Sequence, residues 1–190
     1  NKSNFVIEEK FIGEEFSLMS FCDGKTLKHM PIIQDHKRAF ENDTGPNTGG
    51  MGTYSDVDHS LPFLKIKEVN EAKAINVATA NALREEFNEG YIGILYGGFI
   101  ATKNGVKLVE YNARFGDPEA MNIFSLLDTD FLEICESLTE HKLDKVEIQF
   151  KNKATVCKYA VPSGYPDKPV KNLPINLNKI ENPDSLFYAS

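Results

Sequence analysis

Apolar and polar positions alternate with period two over Glu15-Phe-Ser-Leu-Met-Ser-Phe21, which predicts a strand closed by the tight turn Asp23-Gly24. Phe5-Val-Ile-Glu-Glu-Lys-Phe11 before it, set off by Gly13, and Thr26–Ile33 after it carry enough β-branched and aromatic residues for two more strands. The first 33 residues thus read as an antiparallel meander. From Gln34 to Ser55 the apolar periodicity is lost, and a loop of that length inside a compact domain is uncommon unless it is functional. Ile66–Glu89 is free of Gly and Pro, with Val69, Ala72, Ile75, Leu83 and Phe87 near one face, which predicts an amphipathic helix ended by Gly90. Gly93–Thr102 is almost continuously apolar, as a strand buried on both faces would be, and Asn104-Gly105 turns it into a strand over Leu108–Tyr111.

Asp117-Pro118-Glu119 reads as a helix start, with Asp117 as N-cap, Pro118 at the first helical position and Glu119 in the first turn. Asp128-Thr129-Asp130 caps a further helix from Phe131 to about Thr139, whose expected buried stripe is Leu132, Cys135 and Leu138. Val146–Phe150 and Ala154–Ala160 are the last predicted strands, and Pro162–Pro169 is a proline-punctuated break. The elements predict an α+β fold, an antiparallel sheet with packed helices.

With 190 residues, 41% of them hydrophobic, the chain can bury the core of one domain or slightly more. A formal net charge of -7 argues against a nucleic-acid or membrane-surface partner, both of which call for a basic field, and means that any anionic substrate must be held by local cations. Cys22, Cys135 and Cys157 are far apart and lack metal-type spacing, so they read as reduced, buried thiols. The sequence has neither a membrane-length apolar run nor a signal-peptide pattern, and a cytoplasmic protein is expected.

The chemistry concentrates in Glu110-Tyr-Asn-Ala-Arg-Phe-Gly-Asp-Pro-Glu119. In a strand, Glu110 and Asn112 share a face while Tyr111 points back, so a carboxylate and an amide oxygen meet one site. Hard oxygens so presented suit Mg²⁺, which takes one or two protein ligands and fills its octahedron with water and phosphate oxygens. Arg114 has the same parity, and its planar fork can hold a phosphate or carboxylate. The residues alone also allow an exposed strand end in water, with Arg114 pairing Glu119.

The run Glu-x-Asn-x-Arg-Phe-Gly-Asp-Pro-Glu resembles the hallmark of the phosphoribosylamine-glycine ligase (glycinamide ribonucleotide synthetase) family, ATP-grasp enzymes of purine biosynthesis. The similarity also covers Glu8–Ser17 and Gln34–Ser55. It implies the C-terminal lobe of an ATP-grasp domain over 1–153 plus the start of a C-terminal domain, cut short, over 154–190, and ATP with Mg²⁺ or Mn²⁺ as cofactors. The implied activity is ATP-dependent ligation of glycine to 5-phosphoribosylamine. Carried over residue by residue, the resemblance makes Glu110 and Asn112 the metal ligands and Arg114, Asp35 and Lys37 catalytic. It assigns Glu8, Glu9, Phe11 and Glu15 to the nucleotide, Glu15 at the ribose hydroxyls. His36, Arg38, Asn47, Thr48, Gly49, Gly50 and Asp117 fall to the substrates.

Without the family, Glu8, Glu9, Glu14 and Glu15 read better as a solvated acidic rim, and His36 as an ordinary loop residue. Many ATP-grasp enzymes carry a second acidic ligand where Gly97 and Gly98 stand here, an absence that this branch shares. The family's loop-bearing lobe precedes the hinge strand, and only Asn1–Asn4 do so here, so the 190-residue chain alone is expected not to catalyse the ligation. Another ATP-grasp carboxylate-amine ligase would keep Glu110 and Asn112 without the Arg114–Glu119 run. A noncatalytic nucleotide-binding domain would keep the hinge and lose the metal pair.

Overall fold

The computed structural model describes residues 5–188. The chain divides into two compact units, one reaching to Tyr159 and one from Ala160 onward. In the first, β1 (Gly13–Asp23), β2 (Leu27–His29), β5 (Ile92–Thr102) and β6 (Gly105–Asn112) form an antiparallel sheet of order β2-β1-β5-β6. A second sheet of order β3-β4-β7 contains β3 (Gln34–Phe40), β4 (Thr44–Ser55) and β7 (Thr155–Lys158). Helices α1 (Ile66–Phe87), α2 (Glu119–Leu126) and α3 (Phe131–Thr139) complete this unit.

The alternation of β1 sorts the core into two layers. Phe16 and Leu18 join Phe99, Val106, Leu61 and the Val69 and Ala72 face of α1. Met19 and Phe21 point the other way and join Tyr96, Ile123 of α2, and Ile134 and Leu138 of α3. Each buried Phe, Leu, Ile, Val or Met side chain among them contributes roughly 1.5–3 kcal/mol relative to exposure, so the central sheet is anchored from both sides. The β1 end nearer Glu15 is not covered by α2 or α3, and there the second sheet approaches. Ser17 and Ile33 exchange two backbone hydrogen bonds of 2.8 and 3.1 Å, and Gln34 Nε2 donates to the Glu15 carbonyl. The start of β3 is thereby held beside β1.

Several expectations are corrected. Phe5–Phe11 forms no strand: the β1–β5 ladder ends at the Gly13–Thr102 pair, where β5 turns, so residues upstream of Gly13 have run past the end of their neighbour. The meander is replaced by β1 sitting between β2 and β5. Gln34–Ser55 is a β-hairpin with two register shifts; its polar residues pair through backbone groups, which periodicity of side chains cannot reveal. Val146–Phe150 makes only an isolated bridge from Phe150 to Leu127, because Ile148 and Phe150 pack against the core beside the end of α2.

In α1, Asn76 is buried while Phe87 is exposed. In α3 the buried residues are Ile134, Ser137 and Leu138; Leu132 faces solvent and Cys135 is half-buried, like Cys157, whereas Cys22 is buried. Asp130 caps α3 as expected, accepting from Leu132 N at 2.7 Å. The N-cap of α2 is Pro118, not Asp117, whose carboxylate instead accepts from the Tyr159 hydroxyl at 2.7 Å. Strand β7 pairs with β4, and the change of compact unit falls after it, between Tyr159 and Ala160.

The second unit is turn-rich. Backbone bonds from Tyr165 to Pro162, Lys168 to Gly164 and Val170 to Ser163 close its first turns, and a short 3-10 segment spans Pro183–Ser185.

Candidate active site

The open end of the central sheet and the β3–β4 hairpin enclose a cleft of about 200 Å³ lined by Glu15, Ser17, Asp35, Lys37, Asn47, Tyr96, Gly98 and Glu110, among others. Glu15 and Ser17 come from one face of β1, Asp35 and Lys37 from alternate positions of β3, and Glu110 from β6. Three carboxylates and one lysine line it. Lys37 Nζ lies 3.9 Å from Glu15 Oε2 with both side chains about half exposed, so this ion pair contributes little to stability.

How β6 delivers Glu110 is not what simple alternation implies. Val106 is buried and Leu108 packs on the α1 side of the sheet, so strict period two would carry Glu110 under α1 as well. The ladder pairs Gly98 with Glu110 but Phe99 with Leu108, leaving Val109 as a β-bulge. After the bulge the faces exchange. Tyr111 points to α1, and Glu110 and Asn112 face away from it, with Asn112 Nδ2 donating to Glu110 Oε1 at 3.1 Å. Arg114 Nη2 reaches Asn112 Oδ1 at 3.4 Å, and its Nη1 donates to the Phe115 carbonyl at 2.8 Å. Glu110, Asn112 and Arg114 are one contiguous polar group on the exposed side. A carboxylate and a side-chain amide on one strand face, beside an acid-lined cleft, supply the donor types that fit Mg²⁺ or Mn²⁺, with the Asn112 amide, whose nitrogen faces Glu110 here, turning its oxygen to the cation. Among the described residues, no group of three or more His, Cys, Asp or Glu side chains is arranged to hold a metal by itself.

Asp35 sits at the floor of the cleft with Oδ1 buried and, among the described residues, without a hydrogen-bond partner. Gly50 packs over it: a Cβ there would lie 2.8 Å from Asp35 Oδ1 and 2.9 Å from Pro118 Cδ. Burial, followed by the nearby Glu119 carboxylate, pushes the Asp35 carboxyl up to about 7; Glu15 adds to this, and Lys37 and the His36 amide oppose it. Glu119 is itself 2% exposed and accepts from the Tyr96 hydroxyl at 2.7 Å. Burial and that carboxylate also raise the Tyr96 phenol.

The raised Asp35 value predicts a stability effect with a definite sign. Below its ordinary value of 3.8 both folded and unfolded chains hold the proton. Between there and about 7 the unfolded chain releases it first, so Asp35 costs stability increasingly as pH rises, and the cost levels off above that window. Asp35→Asn cannot ionise. Its urea midpoint, relative to the unsubstituted protein, is expected to rise from pH 4 to pH 8, and a difference that stays constant with pH would contradict this.

Other sequence-predicted residues lie elsewhere. Glu8 and Glu9 are exposed and Phe11 half-buried in the unpaired segment before β1, and none of them lines the cleft. His36 stacks on Tyr54 with ring centroids 5.9 Å apart, Arg38 donates to the Gly45 carbonyl at 2.8 Å, and Thr48 donates to the Lys37 carbonyl while accepting from Gly50 N. Gly49 is exposed on the hairpin, and Asp117 is bound to Tyr159. Ser17, Tyr96 and Glu119 were not singled out as site residues by sequence. The parity of Glu15 along β1 would have found Ser17, but no local signal marks Tyr96.

The central antiparallel sheet with helices on both faces, and the hairpin folded over its acid-lined end, are part of an ATP-grasp fold, as the comparisons with known proteins show. The crystal structure of phosphoribosylglycinamide synthetase from Anaerococcus prevotii shares the fold at 16% identity with a TM-score of 0.59, covering 82% of this chain and 37% of that one. Residues 1–120 match the family described as "Phosphoribosylglycinamide synthetase, ATP-grasp (A) domain", and the chain belongs to that family. It is 53% identical to phosphoribosylamine–glycine ligase of Methanocella arvoryzae over 186 residues, 97% of this chain and 42% of the relative. It is 55% identical to that of Methanocaldococcus jannaschii over 174 residues, 92% and 39% respectively. The crystal structure of phosphoribosylamine–glycine ligase from Thermotoga maritima matches with a TM-score of 0.72 at 28% identity, covering 86% of this chain and 40% of that one. The chain therefore spans less than half the length of these relatives.

Proposed function

We propose that this chain carries the metal-binding part of the active site, and part of its ATP-binding surface, in an enzyme that joins glycine to 5-phosphoribosylamine. The products are glycinamide ribonucleotide, ADP and phosphate, a step of purine biosynthesis. The observation that carries this reading is the single cleft that gathers Glu15, Asp35, Lys37 and Glu110 from three distant segments of the sequence. Each of these segments belongs to a stretch that resembles the family.

A carboxylate acylates poorly because its leaving group would be oxide. Transfer of the γ-phosphoryl of ATP to the glycine carboxylate gives an acyl phosphate and ADP. The sugar amine then attacks the carbonyl carbon, the C–N bond forms, the C–O bond to phosphate breaks, and the amine loses a proton. No covalent nucleophile of the chain is needed, so its residues act by positioning and charge. Glu110 and Asn112 would hold Mg²⁺ or Mn²⁺, which when bound neutralises charge on the transferring phosphoryl oxygens. Arg114, beside them, offers its fork to the same oxygens. Glu15 accepts from the ribose hydroxyls, Lys37 offers the cation of the cleft, and Asp35 is placed to exchange a proton. Glu8, Glu9 and Phe11 remain assigned to the adenine side, and His36, Arg38, Asn47, Thr48, Gly49, Gly50 and Asp117 to the substrates, on the resemblance alone. The first unit belongs to the ATP-grasp domain and the second begins the next domain. Among the described residues no helix is long and apolar enough to cross a membrane, and a cytoplasmic enzyme accords with its small polar substrates.

The test is ADP release by the full-length protein in the presence of Mg²⁺. Release that requires both glycine and phosphoribosylamine is expected. ATP turnover indifferent to glycine would overturn the assignment.

A further inference from the structure

A bulge reverses the faces of β6, so something must fix the frame that follows it, and the hydrogen bonds around Tyr111 provide the means. The Tyr111 hydroxyl lies 3.0 Å from Asn76 Oδ1 and 3.0 Å from Thr79 Oγ1, both on α1. Asn76 is fully buried, and its Nδ2 donates to the Leu18 carbonyl at 3.1 Å and to Ser20 Oγ at 3.2 Å, both on β1. A backbone carbonyl can only accept, so the amide nitrogen must face Leu18 and the amide oxygen must face Tyr111. The polarity of Asn76 is thus set by β1 and read by β6.

Gly97, which pairs with Tyr111 in the ladder, leaves the space this requires. A Cβ at that position would lie 2.8 Å from Asn76 Oδ1 and 2.5 Å from the Phe99 ring. Gly98, by contrast, faces the cleft, with ordinary van der Waals room beside Glu110. The two glycines that stand in the place of an acidic ligand therefore have different physical roles. Only Gly97 is confined by the network.

We propose that Tyr111 and Asn76 are positioning residues that lock β6 in the frame following the Val109 bulge and so hold Glu110 and Asn112 outward as a cation-binding pair. The Tyr111 side chain lies between the two ligands in sequence and on the opposite face, so its anchorage to α1 restrains rotation of the strand that carries both. Without it the bulge can migrate along β6, and a shift of one residue would turn Glu110 toward α1. The inference rests on Glu110 and Asn112 being the metal pair, and the test separates the two.

Mn²⁺ alone is titrated into the full-length protein and followed by electron paramagnetic resonance, alongside thermal unfolding. Glu110→Gln is expected to abolish the site; a protein without a saturable site, or one in which this variant binds unchanged, overturns the metal reading and the lock with it. Tyr111→Phe, which keeps the ring and removes the hydroxyl, is expected to weaken Mn²⁺ binding by about tenfold or more, the scale on which groups supporting metal ligands act. Thr79→Ala leaves the Asn76 bond in place and should weaken binding by about two- to tenfold, the worth of one ordinary hydrogen bond. If Glu110→Gln abolishes binding but Tyr111→Phe is less stable with unchanged Mn²⁺ affinity, the hydroxyl is merely structural and the lock is refuted. Should Tyr111→Phe fail to fold, Thr79→Ala decides: unchanged Mn²⁺ affinity refutes the lock.

Discussion

Replacing Glu110 by Gln in the full-length protein is expected to lower turnover by about two to three orders of magnitude, the scale for removing one preorganised charge at a reacting centre. The fold should be unaffected. Glu110 is exposed, its side chain is not packed under α1, and Gln has nearly the same size and can still accept from Asn112 Nδ2. What Gln cannot supply is the negative charge that a divalent cation needs from a site with so few protein ligands. The measurement is steady-state ADP release at saturating Mg²⁺ with unfolding monitored in parallel. Turnover near that of the unsubstituted protein would remove Glu110 from the metal. A loss of activity accompanied by a large drop in unfolding temperature would instead mark it as structural.

The contrast between Glu110 and its neighbours shows what local sequence can and cannot convey. That Glu110, Asn112 and Arg114 act on one side while Tyr111 points back follows from period two alone, and the side-chain contacts agree. Which side that is depends on Val109 being unpaired, and a bulge is settled by the register of two strands, which periodicity within one strand cannot report. The β3–β4 hairpin was hidden for a related reason. Its polar, glycine-rich residues are held by cross-strand backbone bonds and a few side-chain bonds such as Thr48 to Lys37, so no apolar face announces it. Reading it as a loop left His36 and Asp35 undistinguished, although the strand separates them: Asp35 faces the cleft and His36 stacks on Tyr54. The buried Glu119 is a case of partial legibility. Its place in the first turn of α2 follows from the helix-start pattern, but its burial against Tyr96 is a long-range contact between α2 and β5.

Asp23, at the far end of β1 from Glu15, should show the opposite behaviour to Glu110: a large loss of stability with little change in chemistry. Its side chain is fully buried and accepts three backbone N–H bonds, from Lys25 at 2.9 Å, Thr26 at 2.6 Å and Leu143 at 3.0 Å. The first two close the β1–β2 turn, and the third ties that turn to the segment after α3. Asp23→Ala strands these donors out of water, and the expected cost is about 3–5 kcal/mol, as for other broken buried charged contacts. Asp23→Asn retains one accepting oxygen and should cost less. Burial by itself would raise the Asp23 carboxyl, but the three amides, helped by His141, outweigh it and hold the group below its ordinary value of 3.8. A depressed folded value means the contribution is fully present above the unfolded value and is lost as pH falls through the folded one. The unsubstituted protein should therefore lose stability below about pH 4, where unfolded carboxylates begin to take up protons, and Asp23→Ala should lose less over the same interval. Urea unfolding of both proteins between pH 7 and pH 3 measures this. Parallel curves would show that Asp23 titrates alike in the folded and unfolded chain, and a destabilisation below about 1 kcal/mol at pH 7 would show that its three bonds together are worth no more than one ordinary hydrogen bond. At temperatures where Asp23→Ala remains folded, its turnover per folded molecule should match that of the unsubstituted protein, because neither Asp23 nor its three donors lines the cleft.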